Sequence, residues 1–351
     1  MREKRGKCKM QLIRTEDAVG HVLCHDITQI IKGVTKDAVF RKGHVVQEED
    51  IPVLLSVGKE HLYVWEKDEK MLHEDEAAQV LYEICAGSNM HGSDVKEGKI
   101  ELIADIDGLL KIRRENLQAV NSLGEMMIAS IHGDFPVKKG DKLAGTRIIP
   151  LVIEKEKMEA ARQAGGTEPI FDVLPFNKKK IGIVTTGSEV FKGRIKDTFG
   201  PVIKAKVAEY PSEVLGQTYV DDDKAHITQA ILDHINNGAE LVICTGGMSV
   251  DPDDCTPGAI RDTGARIVTY GAPVLPGAMM LVSYYDAGDR TVPVLGLPGC
   301  VMYAARTIFD LVLPRVMADD EITAEDIANL GEGGLCLNCE VCTFPKCGFG
   351  K

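Results

Sequence analysis

The stretch LVICTGGMSVDPDD, residues 241–254, decides the fold. Leu241 to Cys244 form a short continuous apolar run, the pattern of a strand buried on both faces of a parallel sheet. Thr245-Gly246-Gly247 then interrupts it. Two glycines let the chain turn sharply and let an anionic ligand approach backbone N–H groups. Asp251, Asp253 and Asp254 follow at once. Amide donors suited to phosphate, set beside carboxylates, call for a cation between them. Mg²⁺ meets that need, since it takes one or two carboxylates together with phosphate oxygens. The loop therefore reads as a Mg²⁺-dependent site for a phosphorylated small molecule, with an acidic surface turn as the plain alternative.

Working outward, the flanking sequence alternates strands and helices. IGIVTTG (181–187), VLGQTYV (214–220), RIVTY (266–270) and VPVLGLPG (292–299) read as strands. Residues 197–209, 223–236, 257–262 and 301–316 read as helices. This order predicts an α/β fold: a three-layer, mostly parallel sheet with helices on both faces. Strand carboxyl ends of a parallel sheet share one edge, and ligands bind there, where strand order reverses. Four turns fall on that edge. They are Thr185-Thr186-Gly187-Ser188-Glu189, Asp221-Asp222-Asp223, Thr245-Gly246-Gly247-Met248-Ser249 and Leu297-Pro298-Gly299. Gly187, Gly246, Gly247 and Ser249 are the expected phosphate donors. Thr186, Ser188, Thr245, Pro298 and Gly299 complete the expected ligand turns. Glu189, Asp222 and Asp254 are the expected holders of Mg²⁺ or its waters. Asp223 is assigned to capping the helix that follows. No G-x-S-x-G, H-E-x-x-H or Walker A sequence is present, so positioning and metal electrostatics are expected, not a covalent nucleophile. His226 and His234 read as surface or packing residues.

Upstream of this region the pattern is different. Residues 10–65 hold short apolar runs between glycines, with a short helix at 50–57 and a longer one at 74–86. Residues 99–153 read as strand, turn, strand, then a helix at 115–124, then more strands around a turn at Lys138 to Asp141. The expected organisation is an N-terminal region at 1–90, a small mixed α/β unit at 91–177, the main α/β domain at 178–320 and a tail at 321–351.

The chain has 351 residues, 44% hydrophobic and 27% charged, with net charge −12. That balance suits a globular protein and excludes a general nucleic-acid binder, which needs a basic face. No stretch is long and apolar enough for a membrane helix, and the basic N-terminus lacks the apolar core of a signal peptide. A cytoplasmic location is expected. Small strand-rich flanking units often make subunit contacts, so a homodimer is expected.

The motif series TTGSE, an aspartate pair before a helix, TGGMSV followed by Asp254, Pro276-Gly277 and GLPG at 296–299 resembles the molybdopterin-binding domain. That domain occurs in molybdopterin molybdotransferases and in the gephyrin E domain. The resemblance spans roughly residues 178–317, with a weaker likeness over 11–65. It implies a function in the last step of molybdenum cofactor assembly: Mg²⁺-dependent binding of adenylylated molybdopterin, insertion of molybdenum from molybdate, and release of AMP. It implies acidic metal or molybdate roles for Glu189, Asp222 and Asp254, and phosphate or pterin contacts for Gly246, Gly247 and Ser249. Three positions depart from the family pattern. Ala278 replaces a lysine, Cys300-Val301 replaces the usual Asn-Pro, and Asp251 replaces a glycine. Two readings follow from these departures. One is a divergent transferase; the other is a carrier that holds the cofactor and delivers it to an apo-molybdoenzyme. A phospho-ligand enzyme of another kind on a similar sheet edge is the third possibility.

Ten cysteines are present, four of them in the last sixteen residues. The six others read as reduced thiols. Cys336-x2-Cys339-x2-Cys342-x4-Cys347 has the ligand count of a tetrahedral Zn²⁺ site and approaches the C-x2-C-x2-C run of iron–sulfur proteins. Both metals stay open from the spacing.

Overall fold

The computed structural model describes residues 10–31, 35–65, 70–249, 251 and 254–351. The chain divides into two compact units. The first comprises residues up to 105, 112–131 and 140–172; the second comprises 106–111, 132–139 and 173–351.

The first unit is strand-rich. Its main sheet is four-stranded, in the order Met90–Gly92, Lys99–Ala104, Lys142–Ile148, Met126–Ser130. Two-stranded pairs join Met10–Arg14 to His61–Trp65 and Ile27–Ile31 to Thr35–Phe40. Glu74–Cys85 is a helix because Ala77, Ala78, Leu81, Ile84 and Cys85 make one apolar stripe. It packs closely on the helix Lys155–Gly165: a Cβ on Gly165 would lie 2.3 Å from Ile84 Cγ2. The run at 99–112 is two strands, as expected, but not one hairpin. Lys99–Ala104 pairs with Met90–Gly92 and Lys142–Ile148, whereas Gly108–Ile112 pairs with Pro136–Val137.

The second unit is the α/β body. Its elements in chain order are β1 (Lys179–Thr186), α1 (Phe199–Val207), β2 (Ser212–Val220), α2 (Lys224–Asn236), β3 (Leu241–Thr245), α3 (Thr256–Asp262), β4 (Arg266–Tyr270), β5 (Leu281–Asp286), β6 (Thr291–Leu297) and α4 (Ile308–Met317). The sheet order is β2-β1-β3-β6-β5-β4. The first four strands run parallel; β5 and β4 are antiparallel. The sheet is thus mixed but mostly parallel.

Alternation along the strands builds a core on each face. Ile181, Ile183, Leu241, Ile243, Leu295 and Leu297 point to one side, toward Ile203 of α1 and Phe309 of α4. Val184, Val242, Cys244 and Val294 point to the other, toward Ile227 and Ile231 of α2 and Ile260 of α3. Every residue of β3 is buried, and each aliphatic side chain there stabilises the fold by about 1.5–3 kcal/mol.

Two sequence expectations need correction. Leu281–Asp286 is a strand that the alternating strand–helix pattern left unassigned. The helix expected over 301–316 is a 3₁₀ turn at Gly299–Met302 followed by α4, which starts only at Ile308. Thr307 sets that start: its hydroxyl accepts the Phe309 N–H, and Asp310 returns to the Thr307 N–H at 2.8 Å.

The C-terminal tail packs on this body. Phe344 and Phe349 join Phe135 in an aromatic cluster, the Phe344 ring centroid lying 5.8 Å from that of Phe135 and 6.2 Å from that of Phe349. Arg306 lies over the Phe344 ring at 5.3 Å. No helix among the described residues is long and apolar enough to cross a membrane.

Candidate functional site

Strand register fixes the edge. Thr186 pairs with Val220, Thr185 with Thr245, and Thr245 with Leu297. The four parallel strands therefore end level, and the turns that follow emerge along one rim. Strand order reverses between β1 and β3, the position where open α/β sheets bind ligands.

Side chains lock these turns to one another. The Ser188 N–H donates to Asp222 Oδ2 at 2.8 Å, joining the first turn to the second. The Ser249 N–H donates to Asp254 Oδ2 at 2.8 Å, curling the third turn on itself. The hydroxyls of Thr186 and Thr256 lie 3.1 Å apart, and Thr256 also donates to the Gly246 carbonyl at 2.8 Å. Gly246 has φ +91° and Gly247 +55°. A Cβ on Gly246 would stand 2.3 Å from the Thr186 carbonyl oxygen. Only glycine permits that approach of two strand ends. Tyr270 braces the turn from the far side, donating to the Met248 carbonyl at 2.8 Å. Burial pushes its hydroxyl up from the ordinary value, and the Asp254 charge adds to that.

A cleft of about 660 Å³ opens at this edge. Gly246, Gly247, Ser249, Asp254, Pro298 and Gly299, all expected from sequence, line it. The other expected residues sit differently. Thr245 is fully buried and its hydroxyl has no hydrogen-bond partner among the described residues. Thr186 is buried and bonded to its neighbours. Gly187 uses its N–H on the Val220 carbonyl. Ser188 and Asp222 are bonded to each other, and Glu189 is exposed on the short helix Ser188–Phe191. These residues shape the rim and do not line the cleft. Asp223 caps α2, accepting from the N–H groups of Ala225 and His226. His226 pairs with Asp221 at 2.8 Å on the surface, and His234 is a packing residue bonded to Thr218 at 3.0 Å.

Sequence reasoning missed part of the lining. Phe199 at the start of α1, Met302 at the end of the 3₁₀ turn, Tyr303 just after it, and Leu275 wall the cleft. Tyr303 is 77% exposed and Leu275 57%, large apolar surfaces at the mouth of a polar cleft. The signal available for them was their place beside Pro276-Gly277 and GLPG. The Gly277 turn holds this wall against α4: a Cβ there would lie 2.4 Å from Ile308 Cγ2.

Metal-ligand geometry divides the expected sites. Among the described residues, the one group of three or more His, Cys, Asp or Glu side chains with ligand atoms within 4.8 Å is His73, Glu74 and Asp75. Lys42 Nζ already lies 2.8 Å from both His73 and Asp75, so an ammonium fills that place. Glu189, Asp222 and Asp254 do not form a three-carboxylate cage. Asp222 and Asp254 each accept one backbone N–H, from Ser188 and Ser249 respectively. Nor do any three of Cys336, Cys339, Cys342 and Cys347 come within that distance of one another. Cys336 and Cys347 pack on the core, whereas Cys339 and Cys342 are exposed.

Comparison with known proteins matches parts of the chain. Residues 182–318 match a family model for a probable molybdopterin binding domain, and residues 12–66 match one for a domain of unknown function. A molybdopterin molybdenumtransferase of Synechococcus elongatus is 24% identical over 182 residues, covering 50% of this chain and 42% of that protein. A molybdopterin molybdenumtransferase of Staphylococcus epidermidis is 22% identical over 292 residues, covering 78% of this chain and 64% of that protein. The chain thus spans between about two-fifths and two-thirds of these curated relatives. Among solved structures, a tungsten cofactor synthesizing protein from Pyrococcus furiosus aligns with TM-score 0.32 and 21% identity, over 41% of this chain and 89% of that one. The α/β body that carries the glycine-bearing rim is the part of the chain that matches the molybdopterin-binding domain family, over residues 182–318.

Proposed function

We propose that the chain acts in molybdenum cofactor assembly, binding adenylylated molybdopterin in the edge cleft with Mg²⁺ and accepting molybdenum from molybdate. One observation carries the reading: Gly246, Gly247, Ser249, Asp254, Pro298 and Gly299, from two strand ends, line one cleft beside the order-reversal point of the sheet. Gly246 and Gly247 hold the phosphate through their backbone, since the Gly187 and Ser249 amides are already bonded within the protein. The Ser249 hydroxyl adds a donor. Asp254 would hold Mg²⁺ from the cleft wall, with Asp222 and Glu189 contributing from the rim through water. Mg²⁺ supplies neutralisation of the phosphate charge when bound. Thr186 and Thr256 act as positioning residues by fixing the Gly246 turn. Phe199 and Tyr303 offer apolar faces for the pterin ring. The four tail cysteines hold Zn²⁺ or an iron–sulfur cluster, and the chain works as a homodimer.

The activity is tested by AMP release from adenylylated molybdopterin in the presence of molybdate and Mg²⁺. Wild-type protein should release AMP, and Asp254→Asn, which keeps an acceptor for the Ser249 N–H, should be slower by at least about tenfold, a loss of about 1.4 kcal/mol in transition-state stabilisation. Equal rates would remove Asp254 from the mechanism. A carrier that delivers the cofactor to an apo-molybdoenzyme is the second reading. Ala278 supports it, because an apolar residue lines the cleft where the family commonly has lysine. Tight molybdopterin binding with no AMP release would establish that reading over the first.

A further inference from the structure

The four tail cysteines are not bunched around one point, yet all four line one cavity of about 780 Å³. Leu275, Pro276 and Tyr303 line that cavity too, and the same three residues line the edge cleft. The two spaces share a wall.

That wall is fastened on both sides. On the tail side, the Leu275 N–H donates to the Gly334 carbonyl at 2.8 Å, and the Cys336 N–H donates to the Leu275 carbonyl at 2.8 Å. Leu275 and Leu335 thus form a parallel bridge one residue from the first cysteine. On the cleft side, the Pro276 carbonyl accepts the Ile308 N–H at 3.2 Å, and Gly277 is pressed against the Ile308 side chain. Residues 275–277 therefore link Cys336 to the wall of the edge cleft.

The cysteines divide into an anchored pair and an exposed pair. Cys336 and Cys347 pack against the core; Cys339 and Cys342 are exposed. A tetrahedral ion with sulfur ligands at about 2.3 Å brings its sulfurs to within about 3.8 Å of each other. No three of these sulfurs are now that close. Since one pair is anchored, closure falls to the segment carrying Cys339 and Cys342, which turns at Asn338 with φ +51°. The exposed side chains of Leu275 and Tyr303 border both this segment's cavity and the edge cleft.

We propose that the tail is a thiolate metal site whose closure narrows the mouth of the edge cleft, so that metal in the tail slows the departure of molybdopterin. The metal site stands on the cysteines alone; the effect on molybdopterin rests on the function proposed above. Linkage makes the coupling reciprocal: whatever factor the metal adds to ligand affinity, the ligand adds to metal affinity.

The test uses the full chain, reduced and handled without oxygen. One sample is loaded with Zn²⁺ and desalted, a second is reconstituted with Fe²⁺ and sulfide, and a third is treated with chelator. Bound metal per chain, the visible spectrum and the rate of molybdopterin dissociation, followed by pterin fluorescence, are measured on each. The expected result is stoichiometric metal in at least one loaded sample and dissociation about tenfold slower there than after chelation. The Cys339→Ser/Cys342→Ser variant, changed only at exposed positions, should lose the metal and the slowing together. Failure of both loaded samples to hold metal overturns the tail site. Stoichiometric metal with unchanged dissociation overturns the coupling. Stoichiometric metal with no molybdopterin bound in any sample refutes the cleft assignment, and the coupling with it, while leaving the metal site standing.

Discussion

Gly246 concentrates the physics of the site in one residue. Its φ of +91° lies where side chains are strained, and a Cβ would collide with the Thr186 backbone at 2.3 Å. Gly246→Ala should therefore cost about 1–3 kcal/mol of stability and abolish ligand binding. Chemical denaturation and a binding titration check the two halves. Thr245 beside it carries a fully buried hydroxyl without a partner among the described residues, a cost of about 1–3 kcal/mol in the folded state. Thr245→Val should then leave stability unchanged or raise it; a loss above about 1 kcal/mol would show that the hydroxyl is satisfied. His234 is packed beside Gly182 and Thr218, and burial lowers its pKa from the ordinary 6.5. A histidine held neutral in the fold stabilises it above the unfolded value, and that contribution is lost as pH falls below 6.5. Buried His73 shifts the same way. Denaturation midpoints should accordingly fall between pH 7 and 5, with a smaller fall in His234→Gln. An unchanged pH profile in that variant would contradict the assignment.

At the scale of elements, two neighbouring aspartates separate support from function. Asp223 caps α2, so Asp223→Ala should lower stability by about 1 kcal/mol and leave ligand affinity unchanged. Asp222→Asn should do the reverse, sparing stability and weakening Mg²⁺-dependent binding. Another test lies between α1 and α4. Lys206 and Asp310 form an ion pair at 2.7 Å, 8% and 5% exposed, and Asp310 also holds Arg306 and the Thr307 N–H. Lys206→Met should cost about 1–3 kcal/mol, since Arg306 and the Thr307 N–H still hold the carboxylate. These elements were unequally legible in the sequence. The strands β1, β2, β3 and β6 and the helix α2 were readable because a continuous apolar run or a 3.6-residue stripe says what each buries. β5 was not assigned, although MLVSYYD is a strong strand sequence, because the regular alternation of strand and helix predicted no antiparallel hairpin there. The start of α4 was misplaced because Ala304 and Ala305 extend the apolar period upstream. The capping box of Thr307 and Asp310 was the available signal.

Across the α/β body, the site depends on registration between segments far apart in the chain. That glycine and aspartate turns would share one rim was legible, since strands feeding α-helical crossovers must run parallel. Which turn residues would reach the cleft was not. Thr186 and Thr245 look alike in sequence, and only packing makes them buried supports. The apolar lining was equally hidden, because Phe199 sits at the first position of α1 and Tyr303 and Leu275 come from segments with no periodic pattern. The tail shows the same limit. Four cysteines were plain to see, but their sharing of Leu275, Pro276 and Tyr303 with the cleft arises from a pairing between residues 275 and 335 that no local signal announces.

The central claim is that the cleft at residues 246–249 and 298–299 holds a phosphorylated pterin. Its most direct test is to purify the chain from cells making molybdenum cofactor, denature it, and assay the released small molecules by pterin fluorescence. The account predicts pterin approaching one per chain for the wild type, and loss of it in Gly246→Ala under conditions where that variant remains folded. Wild-type protein that releases no pterin, or a folded Gly246→Ala variant that releases as much, would contradict it.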